Sequence, residues 1–310
     1  MSKIVLAGGS GFLGQTLSHH LEESGKEVVI LGRSGQSAAR GISGRFVEWD
    51  AKSLGSWQEE LEEAEALFNL CGRSVDCRYD ERNKRLILNS RVDSTRILGE
   101  AVQACSRPPK VWLNASTATL YQDRRGDLPP HDENSVANAV GFSEEVGRAW
   151  EEAFFASARE GVRQVAMRIS IVLGNGGGAF PVMRRLTRLG LGGAQGPGSQ
   201  WMSWLHIEDW VGIALFLMET ESVEGPVNLA APNPVTNSSF MRAMRKRFAP
   251  FGLGLPAPTP LIHLGAVFLR TEPELVLKSR KVRSKVLDEQ GYSFFAPTLE
   301  VSLGRLEKMG

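Results

Sequence analysis

Six short apolar runs set the frame of this chain: KIVLA (3–7), EVVIL (27–31), RFVEW (45–49), ALFNL (66–70), KVWLNA (110–115) and QVAMRISIVL (164–173). Segments of helical period separate them. Runs that lack the in-and-out alternation of a half-wet sheet are strands buried on both faces, and parallel strands need helical crossovers between them. The pattern predicts an α/β fold, a doubly wound parallel sheet. After Leu173 the texture changes to GNGGGAF (174–180), LGLGGAQGPGSQWMSW (189–204) and LPAPTPLI (255–262), all dense in Gly and Pro. These read as loops around a smaller cap. A helix over 209–219 and a strand VNLAA (227–231) interrupt them and return to the main sheet.

The first strand runs straight into GGSGFLGQTLSHHLEESG, a glycine-rich turn followed by a helix. Gly9, Gly11 and Gly14 fit G-x-G-x-x-G, and Gly8, Gly11 and Gly14 fit the looser G-x-x-G-x-x-G. Glycine suits a tight turn whose backbone must approach a pyrophosphate, and the helix that follows offers free N–H groups to the phosphates. A strand before and a helix after make this a Rossmann-type dinucleotide loop, with Ser10, Phe12 and Leu13 beside the cofactor. The second strand ends in Gly32-Arg33-Ser34, where an NAD-binding chain places an acidic residue for the ribose 2′-hydroxyl. Arg33 cannot accept that bond, whereas its guanidinium can pair with a 2′-phosphate, so NADP is the expected cofactor. Asp50, at the end of the third strand, could accept from the adenine amino group, and Leu70, Cys71 and Gly72 of NLCG lie where backbone must pass the cofactor closely; both features also suit plain strand-end turns. The expected organisation is a dinucleotide-binding domain over 1–173, completed by 206–231, with 174–205 and 232–310 as a discontinuous C-terminal, substrate-side cap.

The 36 basic and 35 acidic side chains leave a formal net charge of +1, which gives no global field to recruit nucleic acid or an anionic membrane. A small-molecule substrate of unknown identity is the expected partner, and a homodimer is compatible with the chain. Cys71, Cys77 and Cys105 show neither metal-ligand nor disulfide-framework spacing. With no secretory signal and no apolar run of membrane-spanning length, the cytoplasm is the expected compartment.

The glycine loop, NLCG, ASTATLY (115–121), RISIVLG (168–174) and WLHIEDW (204–210) together resemble the extended short-chain dehydrogenase/reductase superfamily, in its epimerase-like branch. Within that branch the chain is similar to an atypical family with a glycine-rich segment after the sixth strand, a W-x-H-I-x-D motif and a small C-terminal domain of unassigned function. The resemblance covers nearly the full length. It implies cofactor contacts at Arg91, on the helix after the fourth strand, and at Val172, near the nicotinamide end. It also implies a catalytic set of a Ser or Thr after the fifth strand and a Tyr-x-x-x-Lys on the next helix. Thr117 matches the Ser/Thr position, with Ser116 beside it. The tyrosine position falls on Phe142 and the lysine position on Val146.

A phenyl ring has no proton to transfer and an isopropyl group has no charge to tune one. The helix over 141–155 therefore packs rather than reacts, and a different proton donor is needed for chemistry. Tyr121, near the carboxyl end of the fifth strand, is one candidate, with Ser116 or Thr117 as relay; the alternative is a packing tyrosine with a satisfied hydroxyl. His206 reads as a buried histidine joining cap to sheet, or as a proton shuttle. QWMSW (200–204) is a pocket wall or core, and Leu275, Val282 and Val286 predict a half-buried helix through the basic run KSRKVRSK (278–285). Two functions follow from these residues. One is an NADP(H)-binding oxidoreductase or epimerase-like enzyme lacking the usual Tyr/Lys pair. The other is a catalytically silent NADP(H)-responsive binding or scaffold protein.

Overall fold

The computed structural model describes residues 2–33, 42–269 and 272–309. Its first half runs β1 (Lys3–Ala7), α1 (Phe12–Glu23), β2 (Glu27–Gly32), β3 (Arg45–Glu48), β4 (Ala64–Asn69), α2 (Glu81–Ala104), β5 (Val111–Thr117) and α3 (Phe142–Phe155). The second half begins with β6 (Arg163–Ile169), β7 (Ile171–Leu173), α4 (Phe180–Arg188), β8 (Trp201–Met202), β9 (Trp204–His206), α5 (Ile207–Glu219) and β10 (Gly225–Leu229). It ends with β11 (Val235–Thr236), α6 (Asn237–Phe248), α7 (Thr259–Leu269), α8 (Glu274–Leu277), α9 (Lys285–Glu289) and α10 (Leu299–Lys308).

Seven strands form one sheet in the order β10-β6-β5-β4-β1-β2-β3, every neighbouring pair parallel. This is the Rossmann-type, doubly wound architecture. Its order reverses between β1 and β4, the place where open α/β sheets leave a crevice. Alternate residues of each strand feed opposite cores. Ile4 and Leu6 pack on the side of α1 and α5, with Leu17, Leu21, Trp210 and Ile213. Val5 and Ala7 pack on the other side, with Ile97, Leu98 and Val102 of α2 and Phe154 of α3. The strand expected at 227–231 is β10, and it completes the sheet beside β6.

Two sequence expectations need correction. The run QVAMRISIVL is not one strand: it breaks at Ser170, whose N–H and hydroxyl both donate to Leu229 O, at 3.0 and 2.7 Å. Beyond the break, β7 leaves the main sheet and pairs in parallel with β9. The basic run 278–285 is not a through-going helix either. Residues 278–284 form an extended strap between α8 and α9. Its backbone is bonded to distant chain instead of to itself: Arg280 N donates to Trp201 O, His131 N to Lys281 O and Arg283 N to His131 O. Val282 is buried in contact with Tyr121 and Ala118, so its apolar character serves this crossing and not a helix face.

Candidate functional site

The turn after β1 has the conformation its glycines were expected to allow. Gly8 sits at φ +76°, and a Cβ built on it would lie 2.8 Å from Cys71 N and 2.9 Å from the Leu70 carbonyl carbon. A Cβ on Gly14 would lie 2.5 Å from Gly9 Cα, so α1 leaves the turn with no room for a side chain at their contact. Gly11 caps α1 without any side-chain acceptor, which leaves the first amides of the helix available. The neighbouring turn is held from β4: the buried Asn69 accepts from Cys71 N at 3.1 Å and donates to Asn114 Oδ1 at 2.7 Å.

A cleft of about 400 Å³ opens at this end of the sheet. Gly8, Gly11, Phe12, Leu13, Gly14, Leu70 and Val172, all expected near the cofactor, are among its lining residues. Ala115, Ile169, Ser170, Ile171, Gly178 and Ala179 also line it and were not anticipated. Ala115, Ile169 and Ser170 had only their position near the carboxyl ends of β5 and β6 as a signal; Ile171 belongs to β7, and Gly178 and Ala179 to the glycine-rich loop before α4. The glycine run 174–178 has a local explanation: it houses the Phe12 ring. A Cβ on Gly174 would lie 2.5 Å from Phe12 Cζ, and one on Gly177 2.8 Å from its Cβ.

The remaining expected cofactor contacts, Ser10, Arg33, Asp50, Cys71, Gly72 and Arg91, are not part of the cleft lining. Ser10 O accepts from Gln15 Nε2 at 2.8 Å. Arg33 is exposed at the end of β2, and Cys71 feels its charge. Burial nevertheless pushes the Cys71 thiol up to about 12. Asp50 accepts from Lys52 N, Ser53 N and the Ser53 hydroxyl; these bonds hold its carboxyl down near 2 and commit both oxygens to the turn after β3. Ser34 lies outside the described residues. Arg91 has no carboxylate partner among the described residues. Its guanidinium donates to Arg73 O and Ile87 O, lies 5.1 Å from the Trp150 ring and abuts Gly72, where a Cβ would come within 3.1 Å. Burial brings its pKa down to about 10.

Two of the catalytic candidates, Ser116 and Tyr121, join one buried network; Thr117 stands outside it, and none of the three lines the cleft. Ser116 Oγ donates to Glu151 Oε1 at 2.5 Å, and Arg168 clamps Glu151 with two bonds of 2.8 and 2.7 Å. Arg168 Nη1 also donates to Tyr121 Oη, which in turn donates to Asn228 Oδ1. The Tyr121 ring stacks on His131. Its hydroxyl therefore has both a donor and an acceptor already, and burial raises its pKa. This is the arrangement of a packing tyrosine. Thr117 Oγ1 is bonded to the Thr119 hydroxyl and caps the short 3-10 turn at Ala118–Leu120. Phe142 meets Tyr79 edge-on at 4.9 Å, and Val146 is buried one turn later.

His206 is fully buried and its Nδ1 accepts from Glu208 N, capping α5. That places the ring proton on Nε2 and makes the residue a joint between β9 and α5. Trp204 is core, and Trp201 lies under Lys281 Nζ at 3.9 Å. Neither indole lines the cleft.

The model of the NAD dependent epimerase/dehydratase family matches residues 4–230. Epimerase family protein YfhF of Bacillus subtilis (strain 168) is 30% identical, over 98% of this chain and 97% of its own. Human epimerase family protein SDR39U1 is 31% identical, over 97% of this chain and 98% of its own. A crystal structure of human SDR39U1 with NADPH has a TM-score of 0.83 at 30% identity and covers 99% of each chain. By sequence and by architecture, the chain belongs to the NAD dependent epimerase/dehydratase family.

Proposed function

We propose that this chain is an NADP(H)-binding oxidoreductase or epimerase-like enzyme that acts on a small molecule without the usual Tyr/Lys pair. One observation carries the reading: the turn from Gly8 to Gly14 is already shaped as a backbone cradle, with its side-chain space closed and the α1 amides open. The similar human protein crystallised with NADPH supports the same cofactor. The α1 N-terminus would hold the pyrophosphate, and Arg33 the 2′-phosphate. Bound there, the cofactor supplies hydride chemistry, while the protein supplies placement. Phe12, Leu13, Leu70, Ala115, Ile169, Ile171 and Val172 give the cleft apolar walls that exclude water.

A second reading has its own support in Phe142 and Val146, which deny the chain the inherited proton relay. Under it the protein binds NADP(H) and changes its affinity for another protein, with no turnover. Fluorescence titration of cofactor-free protein with NADPH and NADH, repeated on Arg33→Ala, tests the shared premise. Tight NADPH binding that weakens in the variant, with NADH poor throughout, supports it; binding of neither nucleotide refutes both readings. A carbonyl-compound screen then separates them, since only an enzyme oxidises bound NADPH above the rate in buffer.

A further inference from the structure

The near-neutral total charge hides a segregation. Residues 174–205 and 232–269 carry seven arginines and lysines and none of the chain's 35 acidic side chains. Four of these cations, Arg185, Arg188, Arg242 and Lys246, are exposed and have no acidic partner among the described residues. Arg185 and Arg188 lie in the last turn of α4, and Arg242 and Lys246 share one face of α6, four residues apart. Cations suit a helix C-terminus for the sake of its dipole. That account leaves the apolar residues beside them unexplained.

Beyond each of these helices the chain turns apolar side chains to solvent. Leu189 and Leu191 follow α4, and Phe251, Leu253 and Leu255 follow α6; all five are exposed, Phe251 by 88% and Leu253 by 70%. The two segments run together. Leu255 N donates to Gly190 O at 2.8 Å, and Leu255 O accepts from Gly193 N at 3.0 Å. Arg245 Nη1 donates to Gly192 O at 2.9 Å, which ties the pair to α6, and the Phe180 ring of α4 meets the Phe248 ring of α6 at 5.8 Å. The apolar tips and the unpaired cations therefore belong to one packed unit of the cap. The chain continues from it into α7, which exposes Leu261 and Leu264, three residues apart.

Large apolar side chains exposed side by side mark an interaction surface, and the charge around these selects the partner. Two copies of the surface brought face to face would set like charges against each other, so a two-fold dimer is disfavoured here. An anionic partner is favoured. A protein partner buries such residues in pockets of matching shape, whereas a bilayer interface takes up protruding Phe and Leu without one and attracts Lys and Arg to its headgroups. The paired segments also satisfy the Leu255 amide and carbonyl within the protein, as entry into an interface requires. We propose that this surface of the cap docks on an anionic bilayer, with Phe251, Leu253 and Leu255 entering the interface and Arg185, Arg188, Arg242 and Lys246 meeting the headgroups. The proposal is independent of the cofactor reading.

The test is flotation of the purified full chain with vesicles of phosphatidylcholine alone and of phosphatidylcholine with about a third phosphatidylglycerol. The mixed vesicles are expected to bind at least about ten times more tightly, and the preference should collapse in about 1 M salt, where charges are screened within about 3 Å. Phe251→Ser with Leu253→Ser weakens binding to the mixed vesicles at least about tenfold. Arg188→Gln with Lys246→Gln weakens it about five- to twentyfivefold and leaves the weak binding to phosphatidylcholine unchanged. All four side chains are exposed, so both double variants melt within about 2 °C of the parent. The proposal is overturned if the mixed vesicles hold no more protein than phosphatidylcholine does, if the preference survives high salt, or if the Phe251 and Leu253 changes leave it intact. A concentration-dependent dimer in sedimentation velocity that the same two changes dissolve, with no vesicle binding by the parent, also overturns it and gives the surface to a second copy.

Discussion

Gly11 offers a clean separation of fold from ligand. Its backbone, at φ −81° and ψ 170°, is open to any residue, and a Cβ there would have Gly8 O as its nearest neighbour at 3.8 Å. Nothing in the bare chain requires glycine at this position. In Gly11→Ala, the weaker helix cap costs several tenths of a kcal/mol. The loss of unfolded-chain freedom returns about 0.4–1 kcal/mol. The net change is within about 0.5 kcal/mol, or roughly 1–2 °C in Tm for a chain of this size. Cofactor binding is expected to respond differently. A methyl group on the cradle holds the pyrophosphate away from the α1 amides, and losing one charge-assisted hydrogen bond costs about 1.5–3 kcal/mol, roughly a 10- to 150-fold rise in Kd. Gly14→Ala is the contrasting variant. Its Cβ would stand 2.5 Å from Gly9 Cα and 2.7 Å from Gly9 C and O, all backbone. Overpacking of that kind costs about 1–3 kcal/mol, against a helix-propensity gain of about 1 kcal/mol, so this variant loses Tm as well as affinity. Thermal unfolding and NADPH fluorescence titration measure the two quantities independently. A Gly11→Ala protein that binds NADPH as tightly as the parent refutes the cradle.

The buried Arg168–Glu151 clamp gives a second expectation: Glu151→Ala leaves a guanidinium uncompensated and costs about 3–5 kcal/mol in denaturant unfolding. Tyr121→Phe costs about 1–3 kcal/mol, because Arg168 and Asn228 lose their shared partner; an unchanged stability with abolished turnover would instead make Tyr121 a proton donor. Val146→Lys places an ammonium in an apolar site and destabilises the fold by at least about 2 kcal/mol, whereas Phe142→Tyr is tolerated. Burial lowers the His206 pKa from 6.5, so its unfolded form takes up a proton first and its contribution to stability is full above about pH 6.5 and lost as pH falls. Asp209, pushed up to about 6 by burial, acts in the opposite sense, losing its contribution as pH rises from 3.8 through 6. His206→Asn keeps an acceptor for Glu208 N and leaves Asp209 in place, so its Tm should decline less than the parent's between pH 7 and 5; parallel declines would show that His206 is not responsible.

Local pattern carried the sheet and the glycine turn because both are written in consecutive residues. Strand KIVLA buries side chains on both faces, and Gly8, Gly11 and Gly14 each answer a backbone requirement or an open helix end. Phe142 and Val146, at the positions where the resemblance expects Tyr and Lys, are equally plain in the sequence, and the proposal that the usual pair is missing rests on them. The Ser116–Glu151–Arg168–Tyr121–Asn228 network was not legible. Its members come from β5, α3, β6, the residue after the 3-10 turn and β10, and no spacing along the chain connects them. The strap at 278–284 misled for a related reason. Leu275, Val282 and Val286 coincide with a helical period, but the backbone bonds of the strap go to Trp201 and His131. Periodicity records which side chains are apolar; it does not record where the amides find their partners.

The position of β10 at the edge of the sheet has a consequence for how the protein is made. Until β10 docks, β6 is an outer strand whose residues Val165, Ala166 and Met167 are all destined for full burial. The opposite edge, β3, is short and mostly exposed, with charged residues at both ends, and so resists pairing with strangers. On a ribosome adding about 5–20 residues per second, the stretch between β6 and β10 takes several seconds to emerge, and the apolar edge is open throughout. A chain truncated before Gly225 should therefore aggregate while one extending through Leu229 does not, which makes β10 the protection of the nascent sheet as well as its last strand.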